Sequence, residues 1–194
     1  MNSICYLANS FPEPCESYVS QEMTELRRRG RRVVPCAFRK PRDPRIVAGD
    51  GATYIFPLAV WTSLLASWMC VSRLDLILDL LFRAIRGPEP YHRRLRTLLH
   101  TWLGVYLAVV LKREGIDHIH VHHGFFSSWC AMTAARLLEI DFSLTLHGSD
   151  MLVRADYLDC KLQNCRFCFT ISEYNRKYLI ERYPFAQKKI AVHR

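Results

Sequence analysis

The spacing of hydrophobic positions along this chain changes several times, and each change marks an element. Residues 4–8, ICYLA, form an apolar run of strand length, followed by the loop NSFPEPC with its two prolines. Val19, Met23 and Leu26 recur at i, i+4 and i+7, which predicts a helix starting near Glu16 or Ser17 and stopping at Gly30. VVPCAF (33–38) and ATYIF (52–56) read as a second and a third strand, with the basic, proline-rich RKPRDPR as a surface loop between them. This alternation predicts an α/β fold, a mainly parallel sheet wrapped by helices.

Residues 58–113 break the alternation and read as two or three long helices without strands between them. Positions 51–72 hold 22 uncharged residues, two of them tryptophan, enough by count to cross a bilayer. Pro57 and the third strand use the first part of that run, however. Trp61, Leu64, Leu65, Trp68 and Met69 fall on one stripe, and Thr62, Ser63, Ala66 and Ser67 on another. That pattern predicts an amphipathic helix docked in the domain or on a membrane surface. Leu74, Ile77, Leu78, Leu81 and Ile85 form a second stripe ending at Gly87-Pro88, and Leu95, Leu98, Leu99, Trp102, Val105, Tyr106 and Val109 form a third. Core packing is sufficient to explain all three, with membrane contact as the alternative.

The alternation resumes at Asp117 with the strand HIHVH, a helix over 128–138 and the strand FSLTL. Ala131, Ala134 and Ala135 allow that helix to pack closely. A further helical segment, the strand FCFTI and a helix over 173–182 follow. The closing KKIAVHR looks like one more strand, so the chain is expected to be part of a longer protein. In an open parallel sheet, ligands sit at the carboxyl ends of strands near a switch in strand order. Here the runs HIHVHH, LTLHGSD and FTISEYN each end in polar, chemically capable residues. They predict a cleft, and with it an enzyme domain.

Composition narrows the class. Half of the residues are apolar and 12% aromatic, which suits a packed core and excludes a mostly disordered chain. The formal charge is 27 − 18 = +9, concentrated at 27–32 and 92–96. Such clusters suit anionic lipid or phosphorylated substrates, or are solvated helix ends. With no aromatic-interleaved basic motif or nucleic-acid module, nucleic acid is not expected as a partner. The first residues carry no basic n-region, so the eight cysteines are expected as reduced thiols in a cytoplasmic protein. Cys160, Cys165 and Cys168 copy an iron–sulfur spacing. Cys165 and Cys168 read as strand residues leaving opposite faces, so small buried hydrophobes are expected instead. His118, His120 and His122 share one strand face but lie too far apart to bind one ion together, so no metal is expected. No G-x-G-x-x-G or P-loop pattern follows the first strand, which disfavours a phosphatase or dehydrogenase, and no cofactor is expected.

The order of motifs resembles family 4 glycosyltransferases of the GT-B fold, exopolysaccharide type. NSFPEPCESYVSQEMTELRRRGRRV is similar to their first strand, loop and helix, HIHVHHGF to their H-x-H-F strand end, LTLHGSD to T-x-H-x-x-D, and TISEYNRKYL to the S-E-Y-N-R helix start. The resemblance spans essentially the whole chain, with 40–115 matching in layout alone. It implies a Rossmann-like parallel sheet flanked by helices, the N-terminal half of a GT-B fold. Residues 1–194 would be the acceptor-side domain, with the donor-binding C-terminal domain absent. The implied activity is retaining transfer of a sugar from a nucleotide-sugar donor to a polysaccharide or lipid-linked acceptor, in the cytoplasm and peripherally at the inner face of a membrane. The alternative is a non-catalytic half-enzyme that tethers a separate catalytic chain.

By resemblance, His147 is the residue that contacts the transferred sugar. Glu16 matches the family's loop glutamate and Glu22 its helix glutamate, while Cys15, Ser17, Tyr18 and His123 replace Ser, Thr, Phe and Phe. Independently, a loop feeding a helix N-terminus offers free N–H groups to an anion, or Ser17 or Glu16 caps the helix. His122 and His123 sit at a strand end, Gly148 suits close backbone approach, and Ser149-Asp150 suits a helix cap. Ser172, with Asn175 three residues on, resembles a capping arrangement, and the family reading puts Ser172 and Glu173 at the cleft rim. The substrate-side set is thus Glu16, Ser17, His122, His123, Gly148, Asp150, Ser172, Glu173 and Asn175.

Overall fold

The computed structural model describes residues 3–41, 43, 46, 51–153 and 155–193. Part of the RKPRDPR segment, at 42, 44 and 45, lies outside them. The first strand, β1 (Ser3–Ser10), leads through a short 3-10 turn into α1 (Ser17–Arg28), then β2 (Arg32–Arg39) and β3 (Thr53–Tyr54). Three helices follow, α2 (Val60–Ser72), α3 (Leu74–Arg86) and α4 (Tyr91–Lys112). The alternation then returns with β4 (His118–His122), α5 (Phe126–Leu138), β5 (Asp141–Leu146), α6 (Gly148–Leu152), α7 (Leu158–Asn164), β6 (Phe167–Thr170), α8 (Glu173–Arg182) and β7 (Ile190–Val192). The helix expected from 128 begins two residues earlier, at Phe126.

All seven strands are parallel, in the order β3-β2-β1-β4-β5-β6-β7. This is the parallel α/β sheet that the alternation predicted, Rossmann-like as the family resemblance implied. The chain leaves β1 in one direction to β2 and, after α4, restarts at β4 on β1's other side. Right-handed crossovers moving in opposite directions place their helices on opposite faces. The two cores record this. Ile4, Tyr6, Ala8, Val33 and Ala37 pack with Val19 and Met23 of α1. The alternate residues Cys5, Leu7, Val34, Cys36, Ile119 and Val121 pack with α4 and α5. The switch in order falls between β1 and β4, so the crevice opens at their carboxyl ends.

In α5, Ala131 and Ala134 are fully buried, and α4 meets them at Gly104. A Cβ on Gly104 would sit 2.6 Å from Thr133 Cβ and 2.9 Å from the Cys130 carbonyl, so only glycine permits that approach. All eight cysteines are free. Cys165 closes α7 rather than entering β6, and it joins Cys160 and Cys168 in the same core, a correction to the opposite-face reading.

The helical region corrects the sequence more sharply. In α2 the buried residue is Ala66, flanked by half-buried Leu65 and Met69, whereas Trp61, Leu64 and Trp68 face outward at 67%, 58% and 71% exposure. Three of the five residues of the predicted stripe therefore point to solvent. The same holds for Leu74, Leu78 and Ile85 of α3 and for Leu95 and Leu99 of α4. Residues 51–72 do not form one span, because β3 and the segment to Ala59 leave a helix of 13 residues. That is about 20 Å, against about 30 Å for a bilayer core. Among the described residues one helix, Tyr91–Lys112, is long and apolar enough to cross a membrane, and 56% of its apolar window is buried in the domain.

Candidate active site

Four elements converge on the crevice: the loop and first turns of α1, the end of β4, the end of β5 with α6, and the start of α8. At the end of β4 the backbone of His123 turns left-handed, with φ 72°. The turn swings this side chain away from the strand row and toward the loop before α1. Its Nε2 lies 3.1 Å from Glu16 Oε1 and 3.4 Å from the Tyr18 hydroxyl. On its other side Asp150 Oδ1 lies 3.5 Å from Nδ1, long for a hydrogen bond but close enough for strong Coulombic attraction. Burial alone would lower the pKa of His123, yet the two carboxylates overcome it and hold the ring at about 9. The bond to His123 in turn lowers Glu16. At neutral pH this is an imidazolium between two carboxylates.

Asp150 is fully buried, and its other oxygen accepts from the His147 backbone N–H at 2.8 Å. That bond secures the first turn of α6, the acidic half of a capping arrangement. His147 itself holds the N-cap position, and of Ser149 and Asp150 it is Asp150 whose side chain takes part in the cap. The His147 ring stands 4.6 Å from the His123 ring and 5.2 Å from Tyr18, centroid to centroid. Its Nε2 is buried and has no hydrogen-bond partner among the described residues. Burial, followed by the neighbouring His123 charge, lowers the His147 pKa, so the ring stays neutral. A neutral imidazole with one unclaimed nitrogen, backed by a cation, can hydrogen-bond a hydroxyl of a ligand in the crevice.

His122 turns to the opposite side, onto Glu22 of α1, with Nε2 3.1 Å from Oε2. The Tyr6 hydroxyl donates to the same oxygen at 3.3 Å. Glu22 is lowered despite its burial, chiefly by the bond to His122. Further down β4, His118 Nε2 and His120 Nδ1 both lie 2.7 Å from Ser143 Oγ, and His120 Nε2 lies 3.1 Å from Thr145 Oγ1. Glu22, His120 and His122 bring metal-type ligand atoms within 4.8 Å of one another. This grouping draws its carboxylate from α1 and leaves His118 out. The inward nitrogens of His120 and His122 are already bonded to Thr145 and Glu22, and we assign the group no ion.

Several sequence expectations change at this site. Neither Glu16 nor Ser17 caps α1: Glu16 occupies the cap position, but its carboxylate is turned to His123. Ser17 is exposed at the helix start. A Cβ on Gly148 would meet nothing within 4 Å, so no close backbone approach requires that glycine. The crowded glycine is Gly124, where a Cβ would lie 2.9 Å from Leu146 and 3.2 Å from Asp150 Cβ. Ser172 caps α8 as read, accepting from the Asn175 N–H at 3.2 Å. Glu173 is exposed and pairs with Arg176 at 3.5 Å. These three share the crevice edge but make no hydrogen bond to the histidine group. Tyr18, whose hydroxyl joins the Glu16–His123 pair, was absent from the predicted set. Its only sequence signal was its place in the loop-to-helix motif.

The family model described as Glycosyltransferase Family 4 matches residues 15–193, and the chain belongs to that family. No curated protein matches it.

Proposed function

Starting from membership in glycosyltransferase family 4, we propose that this chain is the acceptor-side half of a retaining, exopolysaccharide-type glycosyltransferase of GT-B architecture. It would transfer a sugar from a nucleotide-sugar donor to a polysaccharide or lipid-linked acceptor. The observation that carries this reading is the unclaimed, neutral Nε2 of His147 at the end of β5, one strand from the strand-order switch, held beside charged His123 and its two carboxylates. His147 is proposed to hydrogen-bond the transferred sugar near its reacting carbon. The leaving diphosphate then assists an oxocarbenium-like transition state while the protein supplies position and electrostatics. The carboxylates of Glu16 and Asp150 outnumber the imidazolium between them, which suits positive charge developing on the sugar.

The donor contacts would come from a second half. By itself this chain is expected to bind nucleotide sugar weakly and to show no turnover, because one open wall leaves its charges screened by water. The test is sugar transfer by the full-length protein with His147→Ala, checked for an intact fold. Loss of about 10²-fold or more in rate supports the role, and full activity would sink it. Micromolar donor affinity with transfer by these 194 residues alone would overturn the half-enzyme reading.

The outward Trp61, Leu64, Trp68, Leu78, Phe82 and Ile85 on two adjoining helices favour peripheral attachment to an anionic membrane at its cytoplasmic face. They equally suit the second reading, a non-catalytic half that tethers a separate catalytic chain. The two basic clusters do not act together on one surface. Residues 92–96 begin α4 at the crevice edge, while Arg32 at the opposite edge pairs with Glu114. Co-sedimentation with anionic liposomes that fades as salt rises checks the attachment. No sedimentation at low salt would remove it.

A further inference from the structure

Across the 123–126 loop from the histidine crevice lies a cavity of about 410 Å³ between the start of α4, the start of α5 and α7. Its floor is Lys161, a charged side chain only 2% exposed. The ammonium donates to the carbonyls of Gly124 at 2.7 Å, Asp156 at 2.8 Å and Phe125 at 3.2 Å, and to no carboxylate. Its hydrogen bonds are satisfied, but its charge has no anion in contact. Arg93 reaches Asp156 at 2.5 Å, while exposed Arg96 has no carboxylate partner among the described residues. Arg93, Arg96 and Lys161, whose ammonium burial pushes down to about 8, thus line a space with one acid, Asp156. The first turn of α5 opens on the same space with no side-chain cap on its N–H groups. His100, on the wall, is pushed down to about 4 by burial and then by the charges of Lys161 and Arg96.

A second cavity, of about 730 Å³, adjoins the first along His100 and Phe126, whose rings are 5.1 Å apart. Phe56, Leu58, Leu99 and Trp102 give it an apolar wall, and Glu13, Arg39 and Lys40 also line it. A cationic chamber and an apolar groove therefore share one wall, and Leu99 stands 64% exposed at the groove.

We infer that these joined cavities bind an amphiphile carrying a diphosphate head and an aliphatic chain, with the head between Arg93, Arg96 and Lys161 and the chain along Phe56, Leu58, Leu99 and Trp102. This rests on the proposed transferase reading and deepens it, by giving the lipid-linked acceptor a place across the 123–126 loop from the histidine crevice. The chemistry fits on both sides. Phosphate oxygens take charge-assisted bonds from arginine and ammonium groups, and the chain removes exposed leucine and tryptophan surface from water.

The test measures binding of inorganic pyrophosphate, farnesyl diphosphate and farnesol to this chain by calorimetry, with vesicles of anionic phospholipid as a fourth arm. Farnesyl diphosphate is expected to bind at least tenfold more tightly than either fragment. Arg96→Gln, at an exposed position that should not disturb folding, is expected to weaken farnesyl diphosphate and pyrophosphate about tenfold each. Leu99→Ser should weaken only the former. The His100 ring resonance should move on binding as the anion raises its pKa. Pyrophosphate binding as tightly as farnesyl diphosphate would reduce the site to a free-phosphate site and overturn the inference. So would Arg96→Gln leaving both affinities unchanged, or binding confined to vesicles. Prenyl diphosphate binding without any transfer by the full-length enzyme would keep this site and sink the transferase reading. Transfer to a soluble glycan without prenyl diphosphate binding would do the reverse.

Discussion

Two stretches of one strand carry the same residue and put it to opposite electrostatic use. In the lower part of β4, His118 and His120 face Ser143 and Thr145, uncharged partners that do not offset desolvation. His118 is pushed down to about 4, mainly by burial, and His120 falls well below its ordinary value for the same reason. At the upper end, His123 is also largely buried, yet Asp150 and Glu16 hold it at about 9. The difference lies in the partner. A hydroxyl satisfies either form of an imidazole, whereas a carboxylate favours the charged one. The neutral pair builds the sheet face, and the charged residue builds the crevice.

The largest effect expected from breaking this contrast comes from His123→Phe, which removes the cation and leaves the Asp150 carboxylate fully buried beside a hydrocarbon ring. A loss of about 3 kcal/mol in urea unfolding is expected, the lower end for breaking a buried ion pair. Asp150→Asn added to that background should recover part of it, and additive losses would show that the two side chains are uncoupled.

Next in size is the pH dependence. His123 has a folded pKa raised from 6.5 to about 9. Its contribution is therefore full below pH 6.5 and lost as pH rises through 9, at most about 3 kcal/mol by linkage. His118, lowered to about 4, runs the other way, and its contribution disappears as pH falls from 6.5 toward 4. Stability should decline on both sides of a maximum near pH 6.5, and His123→Phe should flatten only the alkaline side. Ring-proton NMR checks the assignment. At pH 6 His118 and His120 should be neutral and His123 charged, and a neutral His123 at pH 7 would undo the comparison.

A smaller change is expected from Ser143→Ala, which removes the hydroxyl shared by two histidine nitrogens at 2.7 Å each. A cost of about 1–2 kcal/mol follows from leaving buried nitrogens without that partner. Both rings should stay neutral at pH 6, because burial and not the hydroxyl dominates their titration. The smallest effect belongs to Glu173→Gln at the exposed rim, where melting should shift by no more than about 0.5 kcal/mol. A larger shift would mean that Glu173 is tied into the site in solution.

Much of this was legible in the residues themselves. ICYLA, HIHVH, FSLTL and FCFTI are apolar runs too short for helices, and their alternation with helical stripes dictates a parallel sheet whose strand ends gather His122, His123 and His147. Period and strand-end position are local properties, so a single chain displays them. What Trp61, Trp68 and Leu99 face is not local. An apolar stripe shows that a helix has a hydrophobic side but not which neighbour occupies it, and α2, packed on α4, turns Ala66 inward. The charge on His123 depends on Glu16, 107 positions away, and on Asp150, brought within reach by a left-handed turn. The anion chamber joins Arg96 to Lys161 across three helices. Sequence determined which residues would reach one edge of the sheet. Tertiary structure decided which were charged and which surfaces stayed uncovered, because desolvation and Coulombic pairing depend on neighbours distant in the chain.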